Sequence, residues 1–372
     1  MEYLGIDEKI LIPKQEKPLA EVAGSYTYFA DGDVLLAKIT PCFENGKLGI
    51  AANLTNGIGF GSSEYVVFRP GQSVDKEWLY YFLSRESFRT EGAARMSGAV
   101  GHKRVSKEFI EAYPIPLPPL LEQQRIVSIL DEAFDGIATT KANAEKNLRN
   151  ARALFESHLQ TVFTRRGEGW VENKLTAITT KIGSGATPRG GEEAYKTVGI
   201  SLIRSLNVHD MGFKYRKLAF IDDEQADGLS NVEVQSRDVL LNITGASVAR
   251  CCIVPDEVLP ARVNQHVSII RPISNKLDPG FLHYLLISKP YKDQLLQTGS
   301  EGGSTRQAIT KAQIQDFTVA YPLTLKEQTS TVAKLDLLRA ETQRLEAIYQ
   351  QKLAALDALK KSLLHQAFTG QL

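Results

Sequence analysis

The tetrapeptide Asp33-Val34-Leu35-Leu36 returns as Asp238-Val239-Leu240-Leu241, and it does not return alone. Arg69-Pro70 returns as Arg271-Pro272, and Trp78-Leu79-Tyr80-Tyr81 has a likeness in Phe281-Leu282-His283-Tyr284. Val105-Ser106-Lys107 matches Ile309-Thr310-Lys311, Glu122-Gln123 matches Glu327-Gln328, and Leu159 with Phe163-Thr164 matches Leu364 with Phe368-Thr369. The order is kept and the offset stays between 202 and 205 residues, as a duplicated unit requires. The copies are unequal. The second runs 68 residues from Trp170 to its Asp-Val-Leu-Leu run, the first has 32, so the first is expected to lack about 36 residues, matching Trp170 to about Leu206. Either that copy is shorter or the chain is a truncated form.

Each unit reads as an α+β domain followed by a long helix. Val198 to Leu202, Asp238 to Ile243 and Val267 to Ile270 are apolar or β-branched runs bounded by Gly, Asn and Pro, and are expected as strands. Phe281 to Ser288 and Trp78 to Ser84 are expected as short amphipathic helices. Pro114, Pro116, Pro118 and Pro119 then mark a boundary, since proline lacks the N–H and clashes with the preceding turn.

From residue 120 to about 163 there is no proline, and Leu130, Ile137, Ala144 and Ala151 recur at heptad spacing beside Phe134, Leu148, Phe155 and Val162. The second copy carries Leu335, Thr342, Tyr349, Leu356 and Leu363, accompanied by Leu338, Leu345 and Leu359. A helix of about 42 residues would extend roughly 63 Å and needs a partner along its length. The other helix is the expected partner, in an antiparallel coiled coil with Lys141, Thr342 and Lys352 on the seam as register-setting polar residues. The expected division is a first domain at 1–119, a central helix and linker at 120–169, a second domain at 170–320 and a C-terminal helix at 321–372. Two similar heads on such a pair would sit at opposite ends of a rod and suit a bipartite target.

Charge gives no help in naming that target. The chain has 44 Lys and Arg against 43 Asp and Glu, a net +1, and residues 170–320 hold 17 basic against 16 acidic, so any polyanion must be met by local patches. No apolar run approaches the roughly 18 to 20 residues of a membrane span, and the first residues lack the pattern of a signal peptide, which points to a cytoplasmic protein. Cys42, Cys251 and Cys252 have no zinc spacing and no even-numbered disulfide framework, and are expected as buried or half-buried thiols.

Catalytic readings fail residue by residue. There is no Asn-Pro-Pro-Tyr or Asp-Pro-Pro-Phe motif and no glycine-rich loop ending in Lys-Ser or Lys-Thr. Glu172-Asn173-Lys174 has no upstream Pro-Asp to complete a metal-dependent nuclease site, and six histidines form no metal pattern. No enzyme activity, cofactor or metal is expected in this chain.

Several stretches together resemble the specificity subunits of type I restriction-modification systems, and the likeness runs over nearly the whole length. They are Pro116-Leu117-Pro118-Pro119-Leu120-Leu121-Glu122-Gln123-Gln124-Arg125-Ile126-Val127, Tyr321-Pro322-Leu323 to Glu327-Gln328, the Gly185-Ala186-Thr187-Pro188 turn, and Leu363-Leu364 to Phe368-Thr369-Gly370-Gln371-Leu372. The resemblance implies two target-recognition domains, each reading half of a split site in double-stranded DNA, joined by helices that set the spacer. It implies a non-catalytic subunit docking two methyltransferase subunits that bind S-adenosylmethionine, with ATP-dependent restriction and translocase subunits able to join. A bridging coiled-coil protein that reads no DNA is the alternative, favoured by the near-neutral charge.

Candidate contacts follow from side-chain chemistry. Ser304, Thr305 and Arg306, in a glycine-rich stretch before a helix start at about Thr310, suit a phosphate, as does Lys311. The first-copy counterpart carries His102, Lys103 and Arg104. Thr187 and Arg189 lie in a turn whose glycines let backbone approach a ligand. Asn and Gln can bond adenine in bidentate fashion and Arg can bond guanine, so Arg204, Asn207, Arg262, Asn264, Gln265 and His266 are base-reading candidates. Lys214, Arg216 and Lys217 are phosphate candidates, each against the plainer reading of a solvated face.

Overall fold

A computed structural model describes residues 3–13, 15–300 and 308–372. They form two compact units, Met1–Asn147 with Ile348–Leu372, and Leu148–Ala347. Each unit joins one α+β domain to a stretch of both long helices.

In the second unit one sheet runs in the order Cys251–Ile253, Val239–Asn242, Val267–Pro272, Thr179–Ser184, with every neighbour antiparallel. A second sheet runs Ala219–Ile221, Ile200–Ile203, Ala261–Val263, Glu233–Val234, and its two central strands are parallel. The unbroken apolar run Val239-Leu240-Leu241 follows from this stacking, because successive side chains point to opposite faces and both faces are covered. Val239 and Leu241 enter the core beneath the helix Pro279–Ile287, while Leu240 enters the core between the sheets. Thr318–Pro322 pairs with Trp170–Lys174 in a further two-stranded ladder. The strand expected from Val198 begins instead at Ile200, and Val198 itself is 78% exposed.

The first unit repeats part of this plan. Val34–Ala37 pairs antiparallel with Leu48–Ala51 and Tyr65–Phe68, and Val34 and Leu36 face one core while Leu35 faces another. Thr27–Ala30 pairs with Ile58–Gly61 as Glu233–Val234 pairs with Ala261–Val263. The difference lies at two edges. Among the described residues no strand flanks Tyr65–Phe68 on the side that Thr179–Ser184 occupies in the second unit, and no ladder forms at 113–117 to match Trp170–Lys174 with Thr318–Pro322. Ile10–Leu11 instead adds in parallel to Leu48–Ala51, at the opposite edge of the sheet.

Three polar devices recur in both units at the repeat spacing. Arg69 forks onto the buried Asp33 carboxylate at 2.8 and 2.7 Å, and Arg271 forks onto Asp238 at 2.7 Å in both contacts. The Tyr81 hydroxyl donates to Asp131, and the Tyr284 hydroxyl donates to Asp336 at 2.5 Å, tying a short helix to a long one in each unit. The fully buried Gln123 and Gln328 bridge the proline-rich turn to the start of helices Lys76–Ser84 and Pro279–Ile287.

The long helices run Leu120–Thr164 and Leu325–Phe368, 45 and 44 residues, and they pack together. In the first unit Leu130 shares a core with Leu364, and further along Lys141 bonds Asp357 at 2.9 Å. In the second unit Arg152 meets Glu346 at 3.0 Å, while Phe155 and Leu159 share a core with Leu335. Descending numbers on one helix against rising numbers on the other make the pairing antiparallel within each unit. Leu130, Ile137, Ala144, Ala151, Leu335 and Thr342 are buried, as the heptad pattern predicts. Leu359 departs from it at 47% exposure. Of the expected polar seam residues, Thr342 is buried and returns its hydroxyl to the carbonyls of Leu338 and Arg339, whereas Lys141 sits at the rim with Asp357 and Lys352 is exposed.

No helix among the described residues is long and apolar enough to cross a membrane. Cys42 is half-buried and Cys251 and Cys252 are buried, and burial pushes the Cys252 thiol up to about 12.

Candidate nucleic-acid interface

Two parallel strands, Ile200–Ile203 and Ala261–Val263, end side by side, so the residues that follow them, Arg204 and Asn264, lie along one edge of the second domain. The Asn264 N–H donates to the Ile203 carbonyl at 3.1 Å, and the Gly185 N–H donates to the Asn264 carbonyl at 3.2 Å. Gly185 must be glycine for this contact, since a Cβ there would lie 1.9 Å from the Val263 carbonyl oxygen. The glycine brings Thr187 onto Gln265, and the two side chains are hydrogen-bonded. Thus two stretches singled out separately in sequence, 183–191 and 262–266, form one surface. Gln265 and Arg189 are exposed on it.

The loop after Arg204 is built from within. Asn207 is fully buried: its Oδ1 accepts the Arg204 N–H at 3.1 Å, and its Nδ2 donates to the Lys214 carbonyl at 2.8 Å. Arg204 donates to the Lys217 carbonyl at 2.7 Å and pairs with Glu192 at 2.9 Å, its guanidinium lying over the Tyr195 ring. With the loop's backbone so held, Lys214, Tyr215, Arg216 and Lys217 all project outward, Tyr215 at 55% exposure.

The remaining candidates divide between surface and interior. Arg262 is 8% exposed and donates to the carbonyls of Ala226 and Ala261, and Asn264 is 4% exposed with its Oδ1 accepting the His266 N–H. His266 Nδ1 meets the Thr244 hydroxyl at 2.6 Å, and Thr244 bridges to Ala308, three residues before Lys311. Lys311 is exposed at the first position of a short helix capped by Thr310. Ser304, Thr305 and Arg306 lie outside the described residues.

In the first domain, His102 and Lys103 are exposed on a loop closed by paired backbone bonds between Ser97 and Arg104. Arg104 forks onto Glu64, at 2.6 Å for the shortest contact, and this bond holds the Glu64 carboxyl below its usual range. It therefore fixes the loop's base. Among the described residues, no group of three or more His, Cys, Asp or Glu side chains could hold a metal ion.

Sequence reading missed what the buried residues do. Glu122-Gln123 and Glu327-Gln328 stood out as marks of the repeat and of the family resemblance, with no role for the buried side chains, and the exposed Tyr215 did not stand out at all. Recurrence at a fixed offset was the available signal for the glutamines.

Comparison with known proteins places these features. Residues 17–148 and 168–354 match the sequence profile of the type I restriction modification DNA specificity domain, one stretch for each repeat. The EcoAI specificity subunit of Escherichia coli is 45% identical over 40% of this chain and 29% of its own length. The EcoEI subunit is 46% identical over 39% of this chain and 25% of its own, so the chain spans under a third of either relative. Two solved structures share the fold across all of this chain. One, from work on complex assembly and conformational transition of the type I R-M system, has a TM-score of 0.77 at 21% identity and is 90% covered. The other, the HsdS subunit of Thermoanaerobacter tengcongensis, has a TM-score of 0.67 at 19% identity and is 89% covered. With its two matched stretches taking up most of the sequence, the chain belongs to the type I restriction-modification DNA specificity family.

Proposed function

We propose that this chain is the non-catalytic subunit that reads a bipartite site in double-stranded DNA for a type I restriction-modification complex. The family match on each repeat carries this reading. The relatives are named as specificity subunits of type I restriction enzymes, and the chain's partners by that analogy are two methyltransferase subunits, which bring S-adenosylmethionine, with restriction subunits able to join.

In the second domain, Lys214, Arg216, Lys217 and Lys311 meet phosphates, and Gln265 and Arg189 meet base edges. The first four are exposed cations, and Gln and Arg are the side chains that bond adenine and guanine in bidentate fashion. Asn207, Arg204, Arg262 and Asn264 act from the inside by shaping the loops. Ser304, Thr305 and Arg306 are assigned to phosphate on composition alone. In the first domain His102 and Lys103 are the available contacts. That domain is a shortened version of the second, a reading supported, among the described residues, by the strand Tyr65–Phe68 that lacks a second neighbour and by the missing ladder at 113–117, and its DNA contacts are correspondingly fewer.

The test is binding by the chain assembled with its methyltransferase subunits. A specific duplex should be held at least a thousandfold more tightly than random duplex, with affinity falling steeply as salt rises. Methylome sequencing of hosts with and without the gene supplies the site. Equal affinity for all duplexes would leave the bridging reading in its place.

A further inference from the structure

The exposed basic loop is held at a second place, on the helices. Gly212, at φ +123°, closes a turn in which its N–H donates to the His209 carbonyl at 2.9 Å. The two residues inside that turn are gripped from four directions. The Asp210 carboxylate accepts the Cys251 N–H at 3.0 Å and pairs with Lys292 of the helix Lys289–Ser300. The Asp210 carbonyl lies 3.1 Å from His283 Nε2, on the helix Pro279–Ile287. The Met211 carbonyl accepts a hydrogen bond from Arg339, on the long helix Leu325–Phe368. One turn before Arg339, on the same face, Asp336 accepts the Tyr284 hydroxyl. The long helix thus grips both the short helix and the turn that leads within two residues to Lys214.

We propose that Arg339 is a positioning residue through which the second long helix sets the presentation of the Lys214–Lys217 loop to DNA. This rests on the DNA-reading function above. Arg339 contacts no base or phosphate itself. Its guanidinium fixes the height of Met211 over the helix, so a rotation or axial shift of the helix moves the basic loop with it. The repeat offset places Phe134, which has no side-chain donor, at the matching position of the first long helix, so among the described residues the first unit has no counterpart of this particular bond.

Two variants of the full chain test this. Arg339→Met keeps the aliphatic stem and removes the donors, while Arg339→Lys keeps a charged donor. Amide exchange over residues 211–217 is expected to speed up about tenfold in Arg339→Met, with the remaining amides of the second unit unchanged, and to return toward the parent rate in Arg339→Lys. In the complex with methyltransferase subunits, the ratio of specific to random duplex affinity should fall about tenfold in Arg339→Met, with random affinity unchanged. Unchanged loop exchange, or faster exchange spread evenly over the unit in both variants, overturns the proposal. So does a looser loop with an intact affinity ratio. Absence of any sequence preference in the parent complex would sink the DNA-reading function instead, and the exchange measurement would still decide whether Arg339 holds the loop.

Discussion

Gln328 Oε1 accepts the Asp278 N–H at 2.7 Å, so a side chain at the start of the second long helix closes the N-terminus of a short helix 50 residues earlier. Its Nε2 donates to the Lys276 and Pro322 carbonyls at 3.0 and 2.9 Å, and the residue is fully buried. Gln123 repeats the arrangement with Asp75, Ser73 and Pro118. Two independent copies of the same three bonds imply that the glutamine locks the long helix to its domain. Gln328→Ala would leave a buried N–H and two carbonyls without partners, and is expected to cost about 3 kcal/mol of stability in the second unit. Thermal or denaturant unfolding checks this; a loss under about 0.5 kcal/mol would show that water replaces the side chain.

His283 gives the second unit a pH dependence. It is buried, and desolvation, followed by the charge of Arg339, lowers its pKa from 6.5 to about 4. The unfolded chain therefore takes up a proton between those values that the folded one refuses. Stability should be complete above about pH 6.5 and should decline as pH falls toward 4, by about 3 kcal/mol over the whole interval. His283→Gln, which keeps a donor for the Asp210 carbonyl, should flatten this part of the stability curve. An unaltered slope in that variant would assign the dependence to other groups.

Two corresponding strands of the repeat should differ in protection. Val267–Pro272 is bonded on both sides, whereas Tyr65–Phe68 is bonded on one. Val66, Val67 and Phe68 are half-buried where Ser268, Ile269 and Ile270 are buried. Amides of the first strand that face away from Val34–Ala37 should exchange at least a hundredfold faster than their counterparts in the second. Equal protection would mean that the first edge is covered in solution.

Lys214→Ala and Arg216→Ala should weaken binding to all duplexes alike and reduce the slope of log affinity against log salt by about one each. Gln265→Ala should act differently, relaxing the preference at one base pair while leaving the salt slope unchanged. A uniform loss in Gln265→Ala would move that residue to the phosphate contacts.

Much of the plan was legible in the sequence because it was written twice. Collinear matches at one offset gave the duplication, and heptad spacing gave two long helices whose buried residues, from Leu130 to Thr342, are largely those the period selects. Prolines 114 to 119 marked where the first helix could begin. Such signals are local: a helix repeats every few residues, and proline acts on its own neighbours. The unequal count of residues before the Asp-Val-Leu-Leu run, 32 against 68, was legible in the same way.

Only the tertiary structure could sort the polar residues. Arg204 and Arg262 read alike in sequence as base-reading candidates, yet the first holds a loop's backbone and the second is buried against carbonyls, while Arg189 of the glycine-rich turn is exposed. Side-chain chemistry states what a group can bond, not whether the fold has already taken its hydrogen bonds. That depends on chain segments far apart: Gly185 against Val263, Asn207 against Lys214, Arg339 against Met211. Periodicity and repetition are properties of the chain, and they alone prescribe a doubled α+β unit on paired helices. Which cations face outward, and which helix holds the loop that carries them, was decided by long-range packing, because a buried polar group must be satisfied by whatever the fold brings to it.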